Sequence, residues 1–336
     1  MKKIMTGLVA AFSIAAMTTP VEAAKTYPSR NITNVVVWSA GGGTDTVNRV
    51  ISAEMAKVLD VDINVTNKPG GVAGSLGMSY VNQRKGDGYT LVGLSESCVT
   101  AGVMGGWDQR MNVWHSFIVG GSPDLISVSA SSDIKSLDDL VAASKKAPGK
   151  ITAGAGGAGS IHHLNLLAFM KGTNADVRFI PYPGSAPAQT AAVTGEVTLV
   201  ITSLAEQQQL IRAGKLRPLA MLTDSSFDLP GVGTIPSAFT SYPSLSEHLP
   251  ISQAIGLAVR ADAPEEVKAK LDDAFAKAMA SDTVKEWAAK NFYSLSGKSG
   301  KAAAEEFDKL ESLFAWTLQD LGSAKVSPAK LGIPKP

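Results

Sequence analysis

Three times along this 336-residue chain, a run rich in β-branched residues breaks on a cluster of small ones and gives way to a helical pattern. Ile32 to Trp38 is the first run, and Ser39-Ala40-Gly41-Gly42-Gly43 breaks it. From Thr44 to Leu59, apolar residues recur at Val47, Val50, Ile51, Met55, Val58 and Leu59, the spacing of one helix face. Lys150 to Ala153 enters the turn Gly154 to Ser160, and a helix follows over His162 to Met170. Val177 to Pro181 enters Tyr182 to Pro187 and a helix ending at Val193. Strand, tight turn and helix in alternation predict an α/β chain of mainly parallel sheets with helices on both faces.

The rest of the pattern divides the chain in two. Val61 to Val65 and Tyr89 to Leu94 add strands to the first unit, and the glycine-rich Lys68 to Gly77 leads into another helix. Ile126 to Val128 and Val197 to Ile201 are strands of a second unit of similar construction. Its helices open at Ser136, a capping serine ahead of Asp138 and Asp139, and at Glu206, which starts a helix to Ala213. The Pro- and Ser-rich stretch Asp224 to Pro250 reads as irregular connection. Ile255 to Val259 is a last strand, followed by helices over Pro264 to Met279, Thr283 to Lys290 and Ala302 to Leu321. These helices are expected to return to the first unit. That makes one domain of 24–124 with 250–336 and another of 125–249, closing as a hinged clamshell on a central cleft.

The turns carry the chemistry. A helix N-terminus leaves N–H groups unpaired and bears about half a positive charge, and glycine lets an anion approach that backbone closely. Thr44, Ser160 and Ser185 add hydroxyl donors. One such turn alone serves tight packing as readily as binding, whereas three in one chain favour an anion site at the carboxyl ends of the strands. No G-x-x-x-x-G-K-[ST] run offers a nucleotide phosphate cradle, so a carboxylate is the expected anion. No G-x-S-x-G run occurs, and the neighbours His162 and His163 point apart on a helix, a poor metal pair. A net charge of +1 with 18% charged residues lacks the basic stripe that nucleic acid requires. Lys2-Lys3, the apolar Ile4 to Met17 and the small residues of Val21-Glu22-Ala23 read as an export leader over 1–23, cut before Ala24. Cys98, the only cysteine, is expected to be buried. The residues thus describe an exported binding protein without catalysis, metal or cofactor, acting as a monomer in the periplasm.

Several motifs sharpen this. The chain carries Tyr27-Pro28-Ser29-Arg30-Asn31-Ile32 and Ala40-Gly41-Gly42-Gly43-Thr44-Asp45, then Asn67-Lys68-Pro69-Gly70-Gly71 and Gly86-Asp87-Gly88-Tyr89-Thr90-Leu91. Gly157-Ala158-Gly159-Ser160-Ile161-His162-His163-Leu164, Tyr182-Pro183-Gly184-Ser185-Ala186-Pro187-Ala188 and Ala213-Gly214-Lys215-Leu216-Arg217-Pro218-Leu219-Ala220 follow. In this order they resemble the receptors of tripartite tricarboxylate transporters, the Bug proteins, over nearly the whole chain after the leader. The resemblance implies a Venus-flytrap fold that delivers a small organic carboxylate to the integral membrane subunits of such a transporter. It implies that backbone groups and ordered waters of the loops with Ala40, Gly41, Gly42, Gly43, Thr44 and Asp45 and with Gly157, Ala158, Gly159, Ser160 and His163 hold one carboxylate, with Tyr182, Gly184 and Ser185 nearby. Trp38, Ser39, Ser95, Glu96, Thr202 and Ser203, at strand ends, are the candidates for choosing among acids.

Departures from the family pattern also carry information. Trp38 replaces the usual Phe or Tyr, Val37 the Pro before it, and Pro183 the Lys of Y-K-G-S. Thr202 stands where some amino-acid-binding members place an aspartate, which points away from an amino-acid ligand. Whether the ligand state reaches a permease or a signalling partner is left open, and a secreted hydrolase using Ser160 with His163 is the remaining alternative.

Overall fold

Buried amides anchor the first turn to its sheet. Asn34, on strand β1 (Ile32–Val36), donates to Asn48 Oδ1 at 2.8 Å and Ser52 Oγ at 3.1 Å, both on helix α1 (Gly43–Leu59). Asn48 donates in turn to the carbonyls of Thr44 at 2.8 Å and Gly256 at 3.0 Å. A buried polar group left unpaired here would cost about 1–3 kcal/mol, so these bonds hold α1 in one position over the sheet. The computed structural model describes residues 26–249, 251 and 253–336, and the expected leader lies outside them.

The first lobe continues with β2 (Ile63–Asn67), α2 (Ser75–Asn82), β3 (Thr90–Ser95) and β4 (Trp114–Gly121). The second lobe runs β5 (Asp124–Ser129), α3 (Leu137–Lys146), β6 (Ile151–Gly156), α4 (Ile161–Thr173), β7 (Val177–Tyr182), α5 (Ser185–Thr194), β8 (Leu199–Ser203), α6 (Leu204–Arg212) and β9 (Leu216–Met221). A small antiparallel pair, β10 (Phe227–Leu229) with β11 (Gly233–Ile235), and the short α7 (Ala238–Ser241) come next, so 224–250 is less irregular than its composition suggests. The chain closes with β12 (Ile255–Arg260), α8 (Glu265–Ala280), α9 (Asp282–Lys290), β13 (Ser294–Ser299) and α10 (Gly300–Asp320).

Among the described residues, a six-stranded sheet has the order β13-β4-β12-β3-β1-β2 and a five-stranded sheet the order β7-β6-β8-β5-β9. Both are mixed, where mainly parallel sheets were expected. β1 is parallel to β2 and β3, but β12 is antiparallel to β3 and β4, and β13 to β4. In the second sheet β6 is parallel to β7 and β8, while β5 is antiparallel to β8 and β9. The cause is connectivity. β3 and β8 end at the edge facing the other lobe, whereas β12 and β5 begin there, just after the chain crosses between lobes.

The C-terminal helices pack on the first sheet. Val47, Ile51 and Met55 of α1 share a buried cluster with Val267, Leu271 and Phe275 of α8. Burying such a side chain is worth about 1.5–3 kcal/mol. A second cluster joins the lobes, holding Trp38 and Met104 together with Ile161 and Leu164. Ser136 caps α3 in a reciprocal pair with Asp139. Cys98 is buried, and burial pushes its thiol up to about 12.

Candidate functional site

The openings of α1, α4 and α5 face one another across the lobes. Trp38, Gly42, Gly43 and Thr44 line a shared cavity with Ser95, Glu96 and Ser97 from the end of β3. Gly156, Ser160, His162, Gly184, Ser185 and Glu206 line it from the second lobe, and Gln253 from the returning crossing. Its volume is only about 20 Å³, room for roughly one water. The Ser39 N–H donates to the Pro183 carbonyl at 3.1 Å and helps hold the lobes together.

The N-terminus of α1 is already filled by a carboxylate of the chain itself. Glu206, on α6 of the opposite lobe, accepts from the Gly43 N–H through Oε1 at 2.6 Å. A β-carbon on Gly43 would lie 3.0 Å from that oxygen, so this is where glycine permits close approach. The other oxygen, Oε2, accepts from the backbone and hydroxyl of Ser203, both at 2.9 Å, which is the capping box of α6. Asp45 is occupied too: it accepts from the Gly41 N–H at 2.9 Å, Asn67 at 2.8 Å and Arg49 at 3.0 Å. Those partners outweigh burial and hold its carboxyl below the usual range. The α5 opening differs: Gly184 caps it with no side-chain bond, so the first N–H groups have no helical partner.

His162 is the electrostatic centre of the cavity. Its Nδ1 lies 2.7 Å from Asp124 Oδ2, and its Nε2 lies 3.3 Å from Ser185 Oγ and 3.6 Å from Glu206 Oε2. Burial alone would push the imidazole down, but the Asp124 charge and hydrogen bond, then Glu206 and Glu96, outweigh it and lift it to about 9. His162 is therefore an imidazolium at neutral pH. Glu96 accepts from the Ala254 N–H at 2.7 Å and from Ser97 Oγ at 2.8 Å, and burial raises its carboxyl despite both bonds.

Of the residues expected at the ligand, Trp38, Gly42, Gly43, Thr44, Ser95, Ser160, Gly184 and Ser185 come together on this cavity with Glu96. The others stand elsewhere. Ala40 and Gly41 are exposed, and Ser39 lies at the lobe contact without lining the void. Tyr182 turns its hydroxyl to Glu196 at 2.7 Å, because its side chain alternates to the outer face of β7. Thr202 is fully buried and accepts from Gln189 at 3.2 Å, while Ser203 supports Glu206. Gly157, Ala158 and Gly159 serve the lobe contact: the Gly159 carbonyl accepts from Thr100 Oγ1 at 2.6 Å and the Ala158 carbonyl from the Ala73 N–H at 3.1 Å. His163 faces away, stacked on Phe179 at 4.1 Å and accepting from the Gly159 N–H at 3.2 Å, and burial lowers it to about 4. Sequence reasoning missed Asp124, His162 and Glu206 as site residues. A readable signal existed for one of them, the S-x-x-E spacing of Ser203 and Glu206.

Two α/β lobes, crossed twice by the chain and closing on a cleft of helix N-termini, define a clamshell solute-binding protein. Residues 47–308 match the model of the tripartite tricarboxylate transporter family receptor, and the chain belongs to that family. The protein BugT of Bordetella pertussis is 32% identical over 251 residues, covering 71% of this chain and 75% of BugT. The periplasmic binding protein BugD superposes with a TM-score of 0.81 at 22% identity, covering 89% of this chain and 99% of BugD. MatC from Rhodopseudomonas palustris, solved with bound malate, superposes with a TM-score of 0.75 at 22% identity over 88% of this chain and 98% of MatC. Among the described residues no helix is long and apolar enough to cross a membrane.

Proposed function

We propose that this chain is a periplasmic receptor that captures a small organic carboxylate between its lobes and hands it to a tripartite tricarboxylate transporter permease. The observation that carries the reading is the meeting of three helix openings, Ser185 and a charged His162 on one interlobe cavity. The carboxylate rests at the open N-terminus of α5, where unpaired N–H groups, the Ser185 hydroxyl and the His162 imidazolium supply donors. MatC, a protein of the same fold, is described with malate. The domains are 24–124 with 250–336 and 125–249, and the crossings between β4 and β5 and before β12 act as the hinge. Closure then presents a ligand-dependent surface to the permease, a shift of population toward the closed state. The receptor works as a monomer.

One observation favours a second reading. Ser185, His162 and Asp124 are linked in the order of a serine hydrolase triad, at 3.3 and 2.7 Å. Ser160 and His163, the pair the sequence suggested, are not so linked: Ser160 Oγ donates to the Gly156 carbonyl at 3.2 Å and accepts from the His163 backbone. Against hydrolysis stands the protonation of His162, which removes the lone pair that a general base needs. Turnover of ester substrates, lost in Ser185→Ala, would establish this second reading.

A thermal-shift screen of small carboxylates against neutral sugars tests the receptor. A ligand at 100 times its Kd stabilises by about 2.7 kcal/mol, a shift of several degrees. Stabilisation by one or a few acids is expected; stabilisation by sugars alone refutes the reading.

A further inference from the structure

The charges lining the cavity suit more than a carboxylate. Glu96 and Glu206 both face it, and among the described residues His162 is its one basic side chain and no Lys or Arg lines it. His162 is already matched to Asp124 at 2.7 Å. Glu206 sits on the α1 N-terminus, so the positive pole that an anionic ligand would seek there holds an anion of the protein itself. Glu96 is 1% exposed and takes its two hydrogen bonds from neutral donors, Ser97 and the Ala254 backbone. Among the described residues it makes no salt bridge. Asp124, Glu206 and Glu96 thus share the single imidazolium of His162, and a buried set of acids that outnumbers its cations is short of a counter-ion until a ligand brings one.

We infer that the ligand is a zwitterion, a small acid that also carries a protonated nitrogen, with the nitrogen toward Glu96 and Glu206 and the carboxylate toward the α5 N-terminus and His162. This rests on the proposed reading of the cleft as a carboxylate site. Three features support it together. A carboxylate has about four acceptor positions, so Glu96 and Glu206 keep capacity for ammonium donors beyond the bonds they already make. Trp38 walls the same cavity, and an aromatic face attracts a cation. A second carboxylate on the ligand would meet two like charges inside a closed, desolvated space, where repulsion is strongest. Thr202, which stands where some amino-acid-binding relatives place an aspartate, is buried and does not line the cavity, and the acids come from β3's end and α6 instead.

The test is calorimetric titration of the leader-free protein, stripped of bound ligand by unfolding and refolding. The probes are the twenty common α-amino acids and 4-aminobutanoate, set against glutarate and butanoate, which keep the carboxylate and lack the ammonium, with glucose as a neutral control. At least one zwitterion is expected to bind tenfold or more tightly than glutarate and butanoate. Glu96→Gln and Glu206→Gln should each weaken that zwitterion at least tenfold and strengthen glutarate, a reversal that mere loss of structure does not produce. Failure of every zwitterion to bind, glutarate or butanoate binding as tightly as any of them, or zwitterion affinity unmoved in both variants overturns the inference. If glutarate or butanoate binds, the carboxylate reading stands while the zwitterion falls; if only glucose binds, both fall.

Discussion

The turns that open α1 and α4 are built from the same small residues and do opposite things. The α1 turn leaves its glycines toward the cavity and draws the Glu206 carboxylate of the other lobe onto the Gly43 N–H. The α4 turn uses its own groups: Gly159 N–H goes to His163, Ile161 N–H to Ser97 Oγ at 3.0 Å, and His163 N–H to Ser160 Oγ at 3.2 Å. Its carbonyls meanwhile bind Thr100 and Ala73 across the interface. A glycine-rich helix opening becomes an anion site only where neighbouring side chains leave its N–H groups unspent. The two histidines at the start of α4 repeat the contrast. Both are buried, yet His162 rises to about 9 beside three carboxylates and His163, with burial acting on it unopposed, falls to about 4.

The largest effect should come from the histidines. His162→Gln leaves Asp124, Glu206 and Glu96 without their shared cation, and breaking a buried charge set by removing one partner typically costs about 3–5 kcal/mol. His163→Gln, which removes one ring stack and one acceptor, should cost no more than about 2 kcal/mol. Urea denaturation of the two variants checks this, and equal losses would break the contrast.

Next in size is a pH dependence whose sign follows from His162. Its folded value, about 9, lies above the ordinary 6.5, so its stabilisation is complete below about 6.5 and lost as pH rises through about 9. By linkage the loss is roughly 3 kcal/mol across that window. The melting temperature should therefore fall from pH 6.5 to 9.5, and the fall should flatten in His162→Gln. His163 acts on the acid side with the opposite sign: its value is depressed to about 4, so its contribution is lost as pH drops from 6.5 through 4.

Glycine substitutions probe the two turns directly. Gly159 has φ +84°, and a β-carbon there would lie 2.7 Å from Thr100 Oγ1 and 2.9 Å from Met104 Cγ. Gly159→Ala should cost about 2 kcal/mol, read as a lowered midpoint in denaturant. Gly42 has φ −80°, and a β-carbon would meet nothing closer than 3.6 Å. Gly42→Ala should change stability by less than about 0.5 kcal/mol. If it proves the more damaging of the two, the roles assigned to the turns are reversed.

Much of the fold was legible because buried helix faces and β-branched runs leave periodic signals, as Val47, Ile51, Met55 and Leu59 did for α1. Five strands went unread, β10 and β11 among them, and the other three show why. β13 is Ser-Leu-Ser-Gly-Lys-Ser on a sheet edge, largely exposed, with no apolar alternation to read. β9 carries Pro218, which argues against a strand until its edge position is known, since an edge residue can spare an N–H. β4 runs Phe117-Ile118-Val119 without alternation, covered on both faces between β12 and β13. The site was half legible for a related reason. Glycine turns and hydroxyls announce themselves locally, but the pairings Asp124–His162 and Glu206–Gly43 join residues 38 and 163 positions apart, and nothing local to any of them marks the encounter.

The account stands most directly on where a ligand's carboxylate comes to rest. A crystal structure of the protein with the acid that most raises its melting temperature measures that position. The carboxylate is predicted within about 3.2 Å of the Ser185 hydroxyl and of the first N–H groups of α5, with His162 Nε2 beside it. An acid bound outside the interlobe cavity, or one whose carboxylate faces Glu96 and Glu206, would contradict the account.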